Sequence, residues 1–313
     1  MEVKIGKLKL KNPVIIASGT FSCDMLELFN VSKVGAAVTK TITLKPRSGN
    51  KPPRIAETAS GMLNSIGLEN EGLEGLKKKW LPCLKNLKTR IIVSIAGEDE
   101  REIAELAGRL EATEGIDAIE LNLSCPNAMG RGSWVMGHGL KGQGLVAQDE
   151  KATYEIVKKV RKVTELTLIT KLTPNVTDIS RIAKVAEDAG ADAVSLVNTY
   201  PGMAVDISKR TPLLGNVTGG LSGPAIKPLA LKAVWDVYNA VDIPIIGMGG
   251  IMDAGDAIEF IICGATAVAI GTANFINPKT SVEIVDGIRY YMRTHRITKL
   301  KELIGSLKAS CKL

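Results

Sequence analysis

Long apolar runs are missing from this sequence: Lys, Asp or Gly interrupts each one within roughly ten residues, well short of the ~20 needed to cross a membrane. The opening segment Met1–Leu10 alternates charged and apolar side chains and lacks the continuous apolar core of a signal peptide. It predicts a strand or short β-hairpin, and a cytoplasmic protein with no membrane partner. Cysteine is sparse. Cys23, Cys83, Cys125, Cys263 and Cys311 are odd in number, widely spread and without CxxC spacing, which excludes a disulfide framework, a zinc site and an iron–sulfur site and fits a reducing compartment. His138 and His295, the two histidines, have no carboxylate or second histidine at ligand spacing, so no metal site is predicted. Also missing are a dinucleotide-binding fingerprint, strong internal repeats, low-complexity segments and Pro/Ser-rich linkers. One domain over 1–313 is therefore expected, a length that suits an α/β barrel. The net charge of +7 is dispersed over helical faces such as Lys77-Lys78-Lys79 and Lys158-Lys159. With no recognition motif beside it, that charge does not point to nucleic acid.

What is present is the composition of a globular α/β protein, with 45% apolar residues, 23% charged residues and 31 glycines. Short β-branched runs alternate with amphipathic segments, the pattern of βα units around a parallel sheet. The predicted strands are Val14–Ala17, Ala36–Lys40, Ile91–Ile95, Ala118–Leu123, Leu166–Leu172, Ala193–Val197, Pro244–Met248 and Ala267–Ile270. Helical spacing of apolar residues marks Glu71–Leu87, Glu100–Leu110, Tyr154–Val163, Ile179–Ala189, Lys227–Ala240, Ala254–Ile262 and Ser281–Arg293. Glu98-Asp99 and Asp253 stand where helices start, and Gly190 and Gly264 where they stop. The expected fold is α/β, a (β/α)8 TIM barrel with an N-terminal β-hairpin and long active-site loops; a doubly wound open sheet is the alternative. Glycine and polar clusters just after the strand ends, at Ser18-Gly19-Thr20, Gly249-Gly250 and Gly271-Thr272, favour the barrel. Two connections, Thr41–Glu69 and Ser124 to about Asp149, are long enough to be lids or binding loops.

Several residues in this frame carry chemistry. Gly247–Gly250 and Gly271–Asn274 close the last two strands, where backbone N–H groups free of side-chain bulk form a phosphate cradle; the alternative is that the glycines serve tight turns only. The cradle does not distinguish a flavin phosphate from a sugar phosphate. Lys40 and Lys171 end apolar strands, and a barrel-interior ammonium needs an anionic partner: a ligand group such as the N1/O2 edge of a reduced flavin, or a structural salt bridge. Asn122, Cys125 and Asn127 lie together where the fourth strand opens into a long loop. Two asparagines can read the amides of a planar ring, while Cys125 is either a base or nucleophile or an inert small residue. Cys23, Cys83 and Cys263 read as packing residues.

Asn64-Ser65-Ile66-Gly67-Leu68, Asn122-Leu123-Ser124-Cys125-Pro126-Asn127, Lys171-Leu172-Thr173-Pro174-Asn175, Asn198-Thr199 and Gly219-Gly220-Leu221-Ser222-Gly223-Pro224 follow one another in order. In this combination, over nearly its whole length, the chain resembles class 1 dihydroorotate dehydrogenase. The block from Asn216 to Pro228 is more similar to the 1B branch, whose catalytic subunit works beside an electron-transfer subunit. The resemblance implies one FMN per chain, with FAD and a [2Fe-2S] cluster only in the partner subunit, dihydroorotate and orotate as ligands, a homodimer, and a heterotetramer with that partner. Cys125 would remove a proton from C5 of dihydroorotate while hydride leaves C6 for N5 of FMN. Lys40, Asn64, Asn122, Asn127, Asn198 and Thr199 would hold the substrate, with Ser65, Ile66, Gly67 and Leu68 closing one side. Ser18, Lys40, Thr41, Ser94, Asn122, Lys171, Val197, Gly223, Gly249, Gly250, Gly271 and Thr272 would line the FMN site. Two features depart from the pattern. Ser94 stands where many relatives carry Asn, and the stretch from Cys125 to Lys171 is longer by roughly ten residues, mostly within Ala128–Gly144, which points to altered gating rather than a new substrate.

Two other readings of the same residues predict different observations. A dehydrogenase of a dihydropyrimidine without a carboxylate has no use for Lys40, and a flavin-free isomerase or synthase acting on a sugar phosphate would be colourless. A noncatalytic binding protein leaves the converging Asn, Lys and Cys positions unexplained. NAD as the final acceptor requires a second polypeptide, and a 1A-type enzyme would use fumarate.

Overall fold

A computed structural model describes residues 1–85, 87–123 and 146–308. The chain opens with the expected hairpin, β1 (Val3–Ile5) and β2 (Leu8–Leu10), whose Val3, Ile5, Leu8 and Leu10 turn inward while the lysines between them stay in solvent. The Lys7 backbone N–H donates to Oγ1 of Thr167 at 3.2 Å, so the hairpin closes the end of the barrel where the strands begin.

Next come β3 (Val14–Ile16), β4 (Ala36–Val38), β5 (Ile55–Thr58), β6 (Gly61–Asn64), α1 (Gly72–Gly75), α2 (Leu81–Leu84), β7 (Arg90–Ile95), α3 (Glu100–Glu111) and β8 (Ala118–Asn122). After 146 the order is α4 (Glu150–Arg161), β9 (Thr167–Lys171), α5 (Ile179–Asp188), β10 (Ala193–Leu196), β11 (Tyr200–Met203), β12 (Val205–Asp206), β13 (Thr211–Pro212) and β14 (Thr218–Ser222). The chain continues through α6 (Lys227–Tyr238), β15 (Ile245–Met248), α7 (Ala254–Ile262), β16 (Ala267–Ile270), α8 (Ala273–Ile276) and α9 (Thr280–Thr294). Strands β3-β4-β7-β8-β9-β10-β15-β16 close on themselves into an eight-stranded parallel barrel, the (β/α)8 fold expected from the sequence rather than an open sheet. Apart from Arg90, every residue of these strands is buried, as a parallel sheet covered on both faces requires. The helix starts are set as expected. Asp99 accepts from the N–H groups of Arg101 and Glu102, Asp253 accepts from that of Asp256, and Gly190 and Gly264 take positive φ just past their helices.

Four expectations need correction. The first crossover carries no long helix; two short 3-10 turns, Cys23–Glu27 and Val31–Lys33, fill it. The helix expected over Glu71–Leu87 is broken into α1, a π-type turn over Leu76–Trp80 and α2, with Pro82 in the first turn of α2, where a missing N–H costs least. The connection Thr41–Glu69, expected as a lid or binding loop, carries secondary structure of its own: it holds β5 and β6, which join β14 and β11 in an antiparallel sheet of order β11-β14-β6-β5. Finally, Cys23 and Cys83 form a disulfide across 60 residues, with Cα atoms 6.2 Å apart, beside an edge-on contact of Phe21 with Trp80. This bond overturns both the packing role given to Cys23 and Cys83 and the exclusion of disulfide linkage from their wide spacing, because the crossover after β3 and α2 meet in space. Cys263 is a free, half-buried thiol; Cys125 and Cys311 lie outside the described residues. No helix among the described residues is long and apolar enough to cross a membrane.

Candidate active site

The C-terminal ends of the barrel strands and the antiparallel sheet above them enclose a cavity of about 400 Å³. The barrel supplies its floor and walls: Ser18 after β3, Lys40 and Thr41 after β4, Asn122 ending β8, Lys171 ending β9, Val197 to Thr199 after β10, Gly249 and Gly250 after β15, and Gly271 and Thr272 after β16. The sheet and its flanks supply the roof through Asn64, Ile66, Gly67, Leu68 and Gly223.

Polar groups of the floor are chained together. The Asn122 amide donates to Oγ1 of Thr41 at 3.0 Å; that hydroxyl is 2.9 Å from Oγ of Ser94 and 3.3 Å from Oγ of Ser18, which itself donates to the Thr39 carbonyl at 2.8 Å. The side-chain oxygen of Asn198 accepts from the Thr199 N–H at 2.8 Å, and the Asn64 amide donates to the Gly220 carbonyl at 3.3 Å. Side chains fixed in this way can offer preset donors and acceptors to a ligand in the cavity.

The two lysines differ in their neighbours. Lys171 is buried, and its Nζ lies 3.9 Å from Oε1 of the buried Glu120. Lys40 makes no ion pair among the described residues and lines the cavity half-buried, where its ammonium can meet an anionic group. Nearby, Glu69 is bound by Arg54 at 2.7 Å, and this hydrogen bond holds its carboxyl below the usual range.

The glycines of the cradle divide into two kinds. Gly250 has φ 77, and a Cβ there would lie 2.7 Å from Cβ of Lys227 and 2.8 Å from its backbone nitrogen, so both the turn and the packing demand glycine. Gly271 does not have a left-handed φ, and a Cβ there would meet protein atoms only at an ordinary 3.9 Å. Its missing side chain answers neither need. Directly behind Gly250, Lys227 is bound by Asp256 at 2.6 Å, which raises the ammonium pKa, so this cation is already spent on a carboxylate.

Of the residues singled out in the sequence, two stand behind the wall. Ser65 is fully buried and accepts from the Asn50 amide at 3.0 Å, and Ser94 supports Thr41 from beneath. Cys125 and Asn127 fall outside the described residues, as does the Ala128–Gly144 segment. The sequence reading passed over the apolar lining, Ile55, Met62, Met248, Ile251, Met252 and Phe275, because isolated apolar residues near strand ends have no signature of their own.

Comparison with known proteins shows the family. The Dihydroorotate dehydrogenase family profile matches residues 1–292. The chain belongs to the dihydroorotate dehydrogenase family. It is 48% identical over 310 residues to the "Dihydroorotate dehydrogenase B (NAD(+)), catalytic subunit" of Thermodesulfovibrio yellowstonii, covering 98% of this chain and 99% of the relative. The proteins of the same name from Desulforamulus reducens (49% over 308 residues; 98% of each chain) and Caldicellulosiruptor bescii (51% over 309 residues; 98% of this chain, 99% of the relative) are similar over the same extent. These matches bear out the 1B-type resemblance. As a member of the family the chain is a flavin-linked oxidoreductase, and the cavity at the barrel mouth is its candidate active site.

Proposed function

We propose that this chain is the FMN-binding catalytic subunit of a B-type dihydroorotate dehydrogenase of pyrimidine biosynthesis, one domain over 1–313 that oxidises dihydroorotate to orotate. The observation that carries the reading is the pairing, in one cavity, of a lysine without an ion pair among the described residues (Lys40) and a compensated lysine (Lys171) beside linked asparagines. Lys40 takes the substrate carboxylate, and Asn64, Asn122, Asn127, Asn198 and Thr199 read the ring amides, with Ser65, Ile66, Gly67 and Leu68 forming the closing side. Lys40, Thr41 and Asn122 face both ligands. Ser18, Ser94, Lys171, Val197 and Gly223 belong to the flavin side, with Gly249, Gly250, Gly271 and Thr272 at the phosphate.

FMN fits the residues present. Gly271 leaves backbone open to the cavity with no structural demand for glycine, and Lys171 is a buried cation suited to an electron-rich ring edge. When bound, FMN supplies the hydride acceptor. Cys125 takes the C5 proton onto sulfur as the C6–H bond gives up its electron pair, and the C5=C6 double bond of orotate forms.

The names of the relatives support NAD as the final acceptor through a partner subunit, for which FAD and a [2Fe-2S] cluster are the proposed carriers in a heterotetramer built on a homodimer. A cytoplasmic location belongs to the same proposal. Anaerobic addition of dihydroorotate to the purified, FMN-loaded chain tests it: the flavin band bleaches, orotate forms, and Cys125→Ala loses the bleaching. A yellow protein that dihydroorotate never bleaches overturns the substrate, and a chain that takes up no FMN overturns the cofactor.

A further inference from the structure

The barrel interior below the cavity holds an acidic side chain that the proposed chemistry does not use. Glu120 lies on β8 two residues before Asn122, so the two side chains share the inward face of the strand. It is 2% exposed. Asn122, Lys171 and Ser195 are register partners across β8, β9 and β10, and Glu120 reaches toward this layer from the one below. Ser195 donates to its Oε2 at 3.0 Å, while Oε1 has no hydrogen bond and stands 3.9 Å from Nζ of Lys171.

A carboxylate at this depth is costly unless a cation compensates it, and Lys171 is the cation in reach. The separation exceeds hydrogen-bond length, so the contact offsets charge without using up the ammonium's donors. Lys171 keeps those donors for the cavity it lines.

We propose that Glu120 is the positioning residue for Lys171. Anchored by Ser195, it holds the ammonium at the cavity floor and partly offsets its charge. It thereby sets how strongly the site favours the negative charge that two-electron reduction brings to a bound flavin. This rests on the reading of the cavity as a flavin site with Lys171 at the N1/O2 edge. Removing the carboxylate leaves the full positive charge of Lys171 facing the flavin, which favours the reduced form.

The test is a spectroelectrochemical titration of the FMN-loaded chain. Glu120→Gln raises the midpoint potential by about tenfold in the balance of reduced to oxidised flavin, which is ~30 mV for a two-electron couple. Lys171→Met lowers the potential. Adding Glu120→Gln to Lys171→Met changes it less than about threefold, because the ammonium through which the carboxylate acts is gone. Glu120→Met removes the same charge with an apolar chain of similar volume and replaces the Gln variant if that one does not fold. An unchanged potential in Glu120→Gln and Glu120→Met overturns the proposal, as does a shift of equal size with and without Lys171. If Lys171→Met itself leaves the potential unchanged, the placement of Lys171 at the flavin fails first, and the proposal with it.

Discussion

The floor and the roof of the cavity are built on opposite principles. The barrel strands below are buried on both faces and rich in β-branched residues, so van der Waals packing fixes the side chains at their ends from every side. The antiparallel sheet above is made of strands such as Gly61–Asn64 and Thr218–Ser222, half in solvent and poor in large side chains, held chiefly by ladder hydrogen bonds and by local contacts such as Asn50 to Ser65. A rigid floor suits a resident cofactor. A lighter roof suits a substrate that must enter and leave, because loops and edges that open are drawn from the less stable parts of a fold.

The largest effect that tests this contrast concerns the flank of the barrel. The Cys23–Cys83 bond closes a 60-residue separation, for which loop-closure entropy gives about 4 kcal/mol of stabilisation. Reduction, or Cys83→Ser, is expected to lower unfolding stability by up to that amount in denaturant titrations while dihydroorotate still bleaches the folded protein. If substrate bleaching fails at full folding, floor and roof are not separable and the contrast breaks. Thiol counting under denaturing conditions checks the bond itself.

A middle-sized effect concerns the boundary between the two regions. Lys40 follows β4 yet shares the cavity with the roof residues Asn64 and Gly67. Hydrogen bonds to charged groups contribute ~1.5–3 kcal/mol, so Lys40→Ala should cost roughly 10–100-fold in kcat/KM, mainly through KM for dihydroorotate, with FMN retained. Loss of FMN instead would mean that, of the two ligands Lys40 faces, the cofactor depends on it more than the substrate does.

The same contrast explains what the sequence made legible. Buried parallel strands such as Ala193–Leu196 and Ala267–Ile270 announce themselves as short apolar runs between helical periods, and their glycine-bearing ends mark the phosphate side. The roof strands show neither alternation nor apolar density, since Gly219 and Gly220 are chosen for close approach rather than burial: a Cβ at Gly220 would fall within 2.0 Å of Oγ1 of Thr199. The disulfide was hidden because its two cysteines meet only through tertiary packing. Glu120 was visible as a lone charge inside Ala118-Ile119-Glu120-Leu121-Asn122, but its partners, Lys171 and Ser195, come from two other strands that only the closed barrel brings alongside.

The smallest effect separates structural from ligand-driven glycine within the floor itself. Gly271→Ala adds a methyl that meets nothing closer than 3.9 Å at a position without left-handed φ, so stability of the FMN-free protein should stay within about 0.5 kcal/mol or rise slightly, as the unfolded chain loses freedom. Its FMN affinity should nevertheless fall, read by fluorescence titration. Gly250→Ala is the control, because a positive φ and a 2.7 Å clash with Lys227 predict loss of stability by ~2 kcal/mol even without FMN. A Gly271→Ala variant that binds FMN as tightly as the parent would mean that the open backbone after β16 is not part of the cradle, leaving the phosphate to the loop after β15.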